Sequence, residues 1–291
     1  MIKLYTELLF ATLFWGFGFV TTVWALTAVG PLWLTTLRFL IALLILNLKP
    51  LRYSFKEFKA VFWSGFFLFL LLGFQTWGLL YTSPTKSGFI TVLYVLFVPI
   101  FEKFFLKKPF RKILFLWILI ALIGSALICQ TTDFHSFNFG DFLTLLCAMA
   151  AAAQFMAINK RVHEVESPVH FHAYQCIWMI LFSIVLAIPL EGFGFLKNHW
   201  STLAWVGLIQ LGIFSSALAF LIQIRVQRFI PPATVAIFML LESPWAMISS
   251  VVFLKENLTG LQILGAVLIL FAAIAETISL SNPTPPKPEL Q

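Results

Sequence analysis

One carboxylate, Glu242, stands near the middle of the apolar stretch Pro232 to Glu256, PATVAIFMLLESPWAMISSVVFLKE. A charged group at the centre of a membrane helix costs about 2.5 to 3.5 kcal/mol, so such a residue faces protein or a wet cavity rather than lipid. There it could exchange a proton or bind a cationic group. The plainer alternative is a protonated or paired acid that only ties helices together. At helical spacing Phe238, Trp245, Ala246, Ser249 and Phe253 share its face, a mixture of aromatic and small residues suited to a solute cavity.

Arg38 lies about seven residues into its own apolar stretch, roughly 10 Å deep by helical rise. It could draw the anionic end of a solute, or pair with carbonyls or an acid, since a guanidinium keeps its charge and satisfies several acceptors. A polar stripe of Ser87, Thr91, Tyr94 and Glu102 runs along one side of a further stretch, and should face the protein interior. Glu102 is close enough to the end of that stretch to reach the surface. Gln75, Trp77, Gln154 and Gln210, with Trp15, add hydrogen-bonding groups inside apolar runs; each serves either solute recognition or packing between helices.

Metal chemistry finds little support. His170 and His172 point apart on a helix, and Cys129, Cys147 and Cys176 lack ligand spacing and read as small apolar fillers. Lys86 reads as a solvated loop charge or a screen for anions. Ala148 and Ala150 to Ala153 permit close helix approach without chemistry. No cofactor or metal is implied, and the absence of a Walker A loop leaves ATP drive unencoded in this chain.

These groups need helices to hold them. Of 291 residues 60% are hydrophobic and only 11% charged, far from the soluble balance of about half and a quarter. The apolar runs suit a hydrocarbon layer about 30 Å thick, so the expected class is an all-α integral membrane protein. Ten candidate spans run Leu4 to Leu26, Pro31 to Leu48, Glu57 to Tyr81, Pro84 to Leu106, Ile113 to Cys129, Gly140 to Ile158, His170 to Leu190, Leu203 to Ile224, Pro232 to Leu254 and Leu258 to Leu280. Unbroken apolar runs exclude the alternation of a barrel. Lys3 before the first run resembles a signal peptide, but the run is long and no small-x-small cleavage site follows.

The formal charge of +7 suggests nucleic acid at first sight. The basic residues sit instead in short clusters between spans, so membrane topology explains them better. Of the 19 Lys and Arg, only Lys86, Lys197 and Lys255 fall on one set of alternate connections, Arg38 falls within a span, and all others fall on the opposite set. Cytoplasmic loops carry the excess, which places both termini in the cytoplasm. The proline-rich tail, residues 281–291, should be a disordered cytoplasmic end.

The polar connection Gln130 to Asp141 divides the chain into five spans and five, so residues 140–280 enter the membrane opposite to residues 1–129 across an outer loop at 130–139. Like halves then form an inverted repeat; Pro99 answers Pro244 at an offset of about 145 residues, and Gly73 answers Gly212. FWGFGFV from Phe14, LRFLIALLIL from Leu37, TSPTKSGFITVLYVLFVPIFEKFF from Thr82 and LLESPWAMISSVVFLKENLTGLQILGAVLIL from Leu240 together resemble the drug/metabolite transporter superfamily, in its EamA-type ten-helix members. The resemblance covers nearly the whole chain to about Leu280. It implies a polytopic transporter of small organic solutes with a pathway lined mainly by helices 1, 3, 4, 6, 8 and 9. Two departures stand out: Lys107, Lys108 and Pro109 where many members place a Glu, and Glu-Ser-Pro at Pro244 where Glu-Pro is usual.

The expected function is secondary transport of a small metabolite or drug, driven by a proton or solute gradient or by exchange, in a bacterial inner membrane. The expected pathway set is Glu242, Trp245, Ser249, Trp15, Gln75, Trp77, Thr91, Tyr94, Gln154 and Gln210, with Arg38 as the charge-pairing residue. Partners are the solute and the bilayer, with monomer and homodimer both open. The rival classes are an intramembrane enzyme on lipid-linked substrates, for which no acid/base pair or nucleophile set is evident, and a membrane protein that transports nothing.

Overall fold

The computed structural model describes residues 2–47, 52–78, 80–82, 84–105, 107, 111–129, 137–254 and 258–281. The tail beyond Ser281, most of the loop 130–139, and Lys49, Lys108, Pro109, Lys255 and Glu256 lie outside the described residues, as does the Lys86 side chain. Regular structure among the described residues is helical throughout. Among the described residues eight helical stretches, three of them interrupted, are long and apolar enough to cross a membrane, and two shorter apolar helices accompany them: α2 (Pro31–Leu46) and α4 (Phe62–Gly78).

The long ones begin with α1 (Ile2–Leu26). A short α3 (Phe55–Ala60) precedes α4 and breaks at Val61, so the expected single span from Glu57 to Tyr81 is two helices. The stretches expected from Pro84 and Pro232 are each divided as well. The first comprises α5 (Pro84–Thr91) and α6 (Tyr94–Phe105), the second α12 (Pro232–Met239) and α13 (Glu242–Leu254). Between them come α7 (Lys112–Cys129), α8 (Phe139–Arg161) and α9 (Pro168–Glu191). Then α10 (Thr202–Gln210) runs through a π-helical turn, Leu211–Ala219, into α11 (Phe220–Gln227). The last helix is α14 (Gly260–Ser281).

Short polar residues set the boundaries. Asn138 and Asp141 form a reciprocal capping box at the start of α8, satisfying donors that the first turn leaves free. Ser167 and Ser201 cap α9 and α10 through their hydroxyls. Gly192 ends α9 at φ +57°, a positive φ that glycine adopts without penalty. The Glu191 carboxylate then crosses to the start of α2, accepting from Leu32 N at 2.8 Å and Trp33 N at 3.1 Å, where the helix dipole favours an anion.

Packing pairs early helices with late ones. α7 lies on α14, α4 on α8, α2 on α9, and α1 on both α10 and α13. Gly124 and Gly265 make the α7 and α14 contact intimate: a Cβ on either would meet the other's carbonyl oxygen at 2.6 or 2.4 Å. α8 is the most buried of the long helices, with Ala148, Ala151 and Ala152 in its core face, while α7 and α14 are peripheral.

Polar contacts identify the two ends of the bundle. At one, Arg225 pairs with Glu7 at 3.4 Å, Arg111 with Glu276 at 2.7 Å, and Arg228 donates to Val162 O and Val165 O. At the other, Asn198 donates to Ala28 O, Gln262 to Ile128 O, and Thr82 to Asp141.

Candidate functional site

Halfway along the helices lies a cavity of about 790 Å³, counting its open mouth. Its walls come from α1 (Trp15, Phe19), α2 (Arg38), α4 (Gln75), α8 (Gln154, Phe155), the π-helical turn (Ser215), α11 (Phe220, Gln223) and the two divided helices. The divided helices place their residues in a matched way. Tyr94 is the first residue of α6 after the break at Val92 and Leu93, and Glu242 the first of α13 after the break at Leu240 and Leu241. Both line the cavity. Broken helices at membrane depth are tolerated where they line a cavity, because solute or water can meet the freed backbone groups.

Glu242 reaches the cavity from the start of α13, and no described side chain forms an ion pair or hydrogen bond with its carboxylate. Arg38 donates through Nε to Ser216 Oγ at 2.6 Å. Its two terminal nitrogens donate to no described residue. Arg38 and Glu242 thus share one cavity without pairing to each other. Each is an ionisable group that no described side chain pairs by charge, and a single solute bearing both signs would satisfy the two together.

The neutral groups are also under-used. Gln223 Nε2 donates to Gln154 Oε1 at 3.2 Å, leaving Gln154 Nε2 and Gln223 Oε1 without a partner among the described residues. The hydroxyl of Tyr94 is buried and likewise unpartnered. Tyr94 stacks on Phe155 at 5.9 Å, and Trp15 meets Phe220 edge-on at 5.0 Å, giving aromatic walls.

Seven of the residues singled out from the sequence meet here: Trp15, Arg38, Gln75, Thr91, Tyr94, Gln154 and Glu242. Four lie elsewhere. Gln210 accepts from Thr21 Oγ1 at 2.7 Å and donates to Phe14 O at 3.1 Å, so its amide joins α10 to α1. Ser249 turns back to Ala246 O at 2.7 Å. Trp245 is pressed against Gly16 of α1, which covers the face it shares with Glu242. Trp77 borders a separate, small crevice beside Thr35 and Phe69.

The polar stripe Ser87, Thr91, Tyr94 and Glu102 is buried throughout, so Glu102 does not reach the surface. Among the described residues no group of three or more His, Cys, Asp or Glu could hold a metal. His172 is nevertheless a polar core residue that sequence reading considered only for metal. Its Nε2 donates to Ser216 O at 2.7 Å, and its Nδ1 faces the Gln175 amide at 3.1 Å. Gln223, Ser215 and Ser216 were also missed; Gln223 could have been found as the amide following Gln210 on the same span.

The EamA-like transporter family matches residues 4–130 and 138–275. An uncharacterized transporter of Archaeoglobus fulgidus is 31% identical over 274 residues, 94% of this chain and 85% of that protein. The threonine/homoserine exporter RhtA of Salmonella typhimurium is 27% identical over 171 residues, 58% of this chain and 56% of the exporter. The uncharacterized transporter YcxC of Bacillus subtilis is 23% identical over 74% of this chain and 71% of its own. A crystal structure of another protein shares the fold at a TM-score of 0.76 and 19% identity, covering 96% of this chain and 97% of that one.

Proposed function

Because the chain belongs to the EamA-like transporter family, we propose that it carries a small zwitterion, with carboxylate and ammonium on one molecule, across the membrane by alternating access. The observation that carries this reading is the pair of ionisable groups, Arg38 and Glu242, that face one aromatic-walled cavity without pairing to each other. A carboxylate accepts two parallel hydrogen bonds from a guanidinium, and an ammonium suits a lone carboxylate. The relative named as a threonine/homoserine exporter is named for two molecules of this class.

Ten spans in two inverted five-helix units, at residues 1–129 and 140–280, form the frame of this reading, with both termini in the cytoplasm and the protein in a bacterial inner membrane. The helix pairings support it. Exchanging the units maps α1 on α10 to α8 on α4, α1 on α13 to α8 on α6, and α2 on the π-helical turn to α9 on α4. It maps the α2 and α9 pair, and the α7 and α14 pair, onto themselves. Such a frame lets the halves rock about a central site, with Glu242 also able to exchange a proton during the cycle.

The test compares free L-threonine with its methyl ester and its N-acetyl derivative in thermal-shift titrations of detergent-solubilised protein, because a ligand of the folded state raises its melting point. The free zwitterion should stabilise and the two blocked forms should not. Arg38→Gln should remove the discrimination against the ester, and Glu242→Gln that against the N-acetyl form. Equal stabilisation by all three compounds, or by none of a wider amino-acid panel, overturns the assignment. In proteoliposomes Glu242→Gln should also abolish any dependence of uptake on a proton gradient while leaving folded yield intact.

A further inference from the structure

The π-helical turn Leu211–Ala219 separates α10 from α11. Turns of this kind are rare and concentrate at functional sites, since each carries one residue more than an α-turn and closes i→i+5 bonds. Here three side chains from three other helices grip two consecutive residues of the turn. Trp15 of α1 donates to Ser215 O at 3.0 Å, Arg38 of α2 to Ser216 Oγ at 2.6 Å, and His172 of α9 to Ser216 O at 2.7 Å. Two of the three, Trp15 and Arg38, line the cavity.

Beyond the turn, α11 floors the cavity with Phe220 and Gln223 and then closes one end of the bundle. Arg225 pairs with Glu7 at 3.4 Å. Gln227, one helical turn past Gln223, is 1% exposed, and both atoms of its amide lack a partner among the described residues. A buried amide with neither group satisfied is costly in this state, and that cost disappears wherever water or a polar solute reaches it.

We propose that the π-helical turn is a switch linking the cavity to the closure between Glu7 and Arg225. When Arg38 turns its guanidinium to a solute, Ser216 loses a pin and the turn tightens from i→i+5 to i→i+4 bonding. Taking up one residue rotates everything beyond it by about 100°. That rotation carries Phe220 and Gln223 off the cavity floor, draws Arg225 from Glu7, and opens a path lined by Gln154, Gln223 and Gln227 to the end of the bundle where α1 begins. Ser216 is a positioning residue in this scheme, acting through Arg38 and through the turn.

The inference rests on the alternating-access reading, and its test needs no solute. A Gln227→Cys reporter is placed in a chain whose Cys129, Cys147 and Cys176 are replaced by Ala, and labelled with a membrane-impermeant maleimide applied to the side where α1 begins. Ser216→Ala, which removes the hydroxyl pin, and Trp15→Phe, which removes the indole donor and keeps a ring, should each speed labelling about tenfold, the shift expected from one lost hydrogen bond of ~1.4 kcal/mol. Deleting Phe214, an exposed residue of the turn, should restore α-helical bonding with both flanks in their present register. That deletion should hold labelling at the slow parental rate even alongside Ser216→Ala. Unchanged labelling in both Ser216→Ala and Trp15→Phe overturns the switch, and so does a folded deletion variant that still responds to Ser216→Ala. A failed zwitterion assay with these labelling changes intact would refute the solute class alone.

Discussion

Gly16 sits where α1 crosses the start of α13, and the contact is made by backbone. A Cβ there would lie 2.4 Å from Trp245 Cβ and 2.9 Å from both Ala246 N and Glu242 O. Backbone atoms cannot turn aside as a flexible side chain can, so Gly16→Ala must push the helices apart beside the cavity acid, at a cost of about 1–3 kcal/mol. Gly73 is the control, because no described residue lies within 4 Å of its Cβ position; Gly73→Ala should be neutral or stabilising by up to about 1 kcal/mol, through helix propensity. Thermal unfolding in detergent should therefore show a lower midpoint for Gly16→Ala and none for Gly73→Ala, and equal midpoints would refute the backbone contact. Glu242 and Arg38 were legible as charges in apolar runs, since the cost of burial marks them without any structure. The Trp245 placement was not, because helical spacing gives the face a residue shares but not which neighbour covers that face.

Divided helices show the same limit one scale up. Pro99 and Pro244 announced that two spans would be irregular, for a proline removes a donor and crowds the preceding turn. In the second case the break lies just ahead of the proline, at Leu240 and Leu241. Ser243 N bonds back to Leu240 O at 3.1 Å, a tightened i→i+3 contact, in the place where residue 244 has no N–H to offer. In the first, Pro99 lies inside α6 while the break falls earlier, where Leu93 N bonds Ile90 O at 3.2 Å and Val95 N bonds Val92 O at 3.1 Å. Proline alone thus locates an irregular span and not the residue that it exposes. Pro244→Ala should restore a donor toward Leu240 O and favour a continuous helix. The expected result is a gain of about 1 kcal/mol in stability with a loss of zwitterion-induced thermal shift, as Glu242 is turned from the cavity. Unaltered binding in a stabilised variant would show that the break does not orient the acid. The π-helical turn was illegible for a different reason, because LGIFSSALA continues an apolar run whose periodicity carries no sign of the extra residue.

For the whole molecule, the connections that the alternation of Lys and Arg groups together also meet in space. The end that holds Glu7 with Arg225 and Arg111 with Glu276 also joins residues 162–166 to Arg228 and to Glu57. Lys3 and Lys160 are exposed near that end, and Lys197 is exposed beside the contact of Asn198 with Ala28 at the opposite one. On the membrane frame proposed above, Lys3 and Lys160 share a compartment that excludes Lys197, whichever way the bundle is inserted. Cytoplasmic enrichment of basic residues then selects the insertion. With single reporters Lys3→Cys, Lys160→Cys and Lys197→Cys in the cysteine-free chain, impermeant maleimide applied to intact cells should label only Lys197→Cys. The other two should react only in inverted vesicles. Labelling of Lys3→Cys and Lys160→Cys together from outside would reverse the orientation and leave the fold standing. Labelling of those two from opposite compartments is incompatible with the bundle itself, since no rigid insertion could separate residues that the packing of α1, α8 and α11 holds at one end.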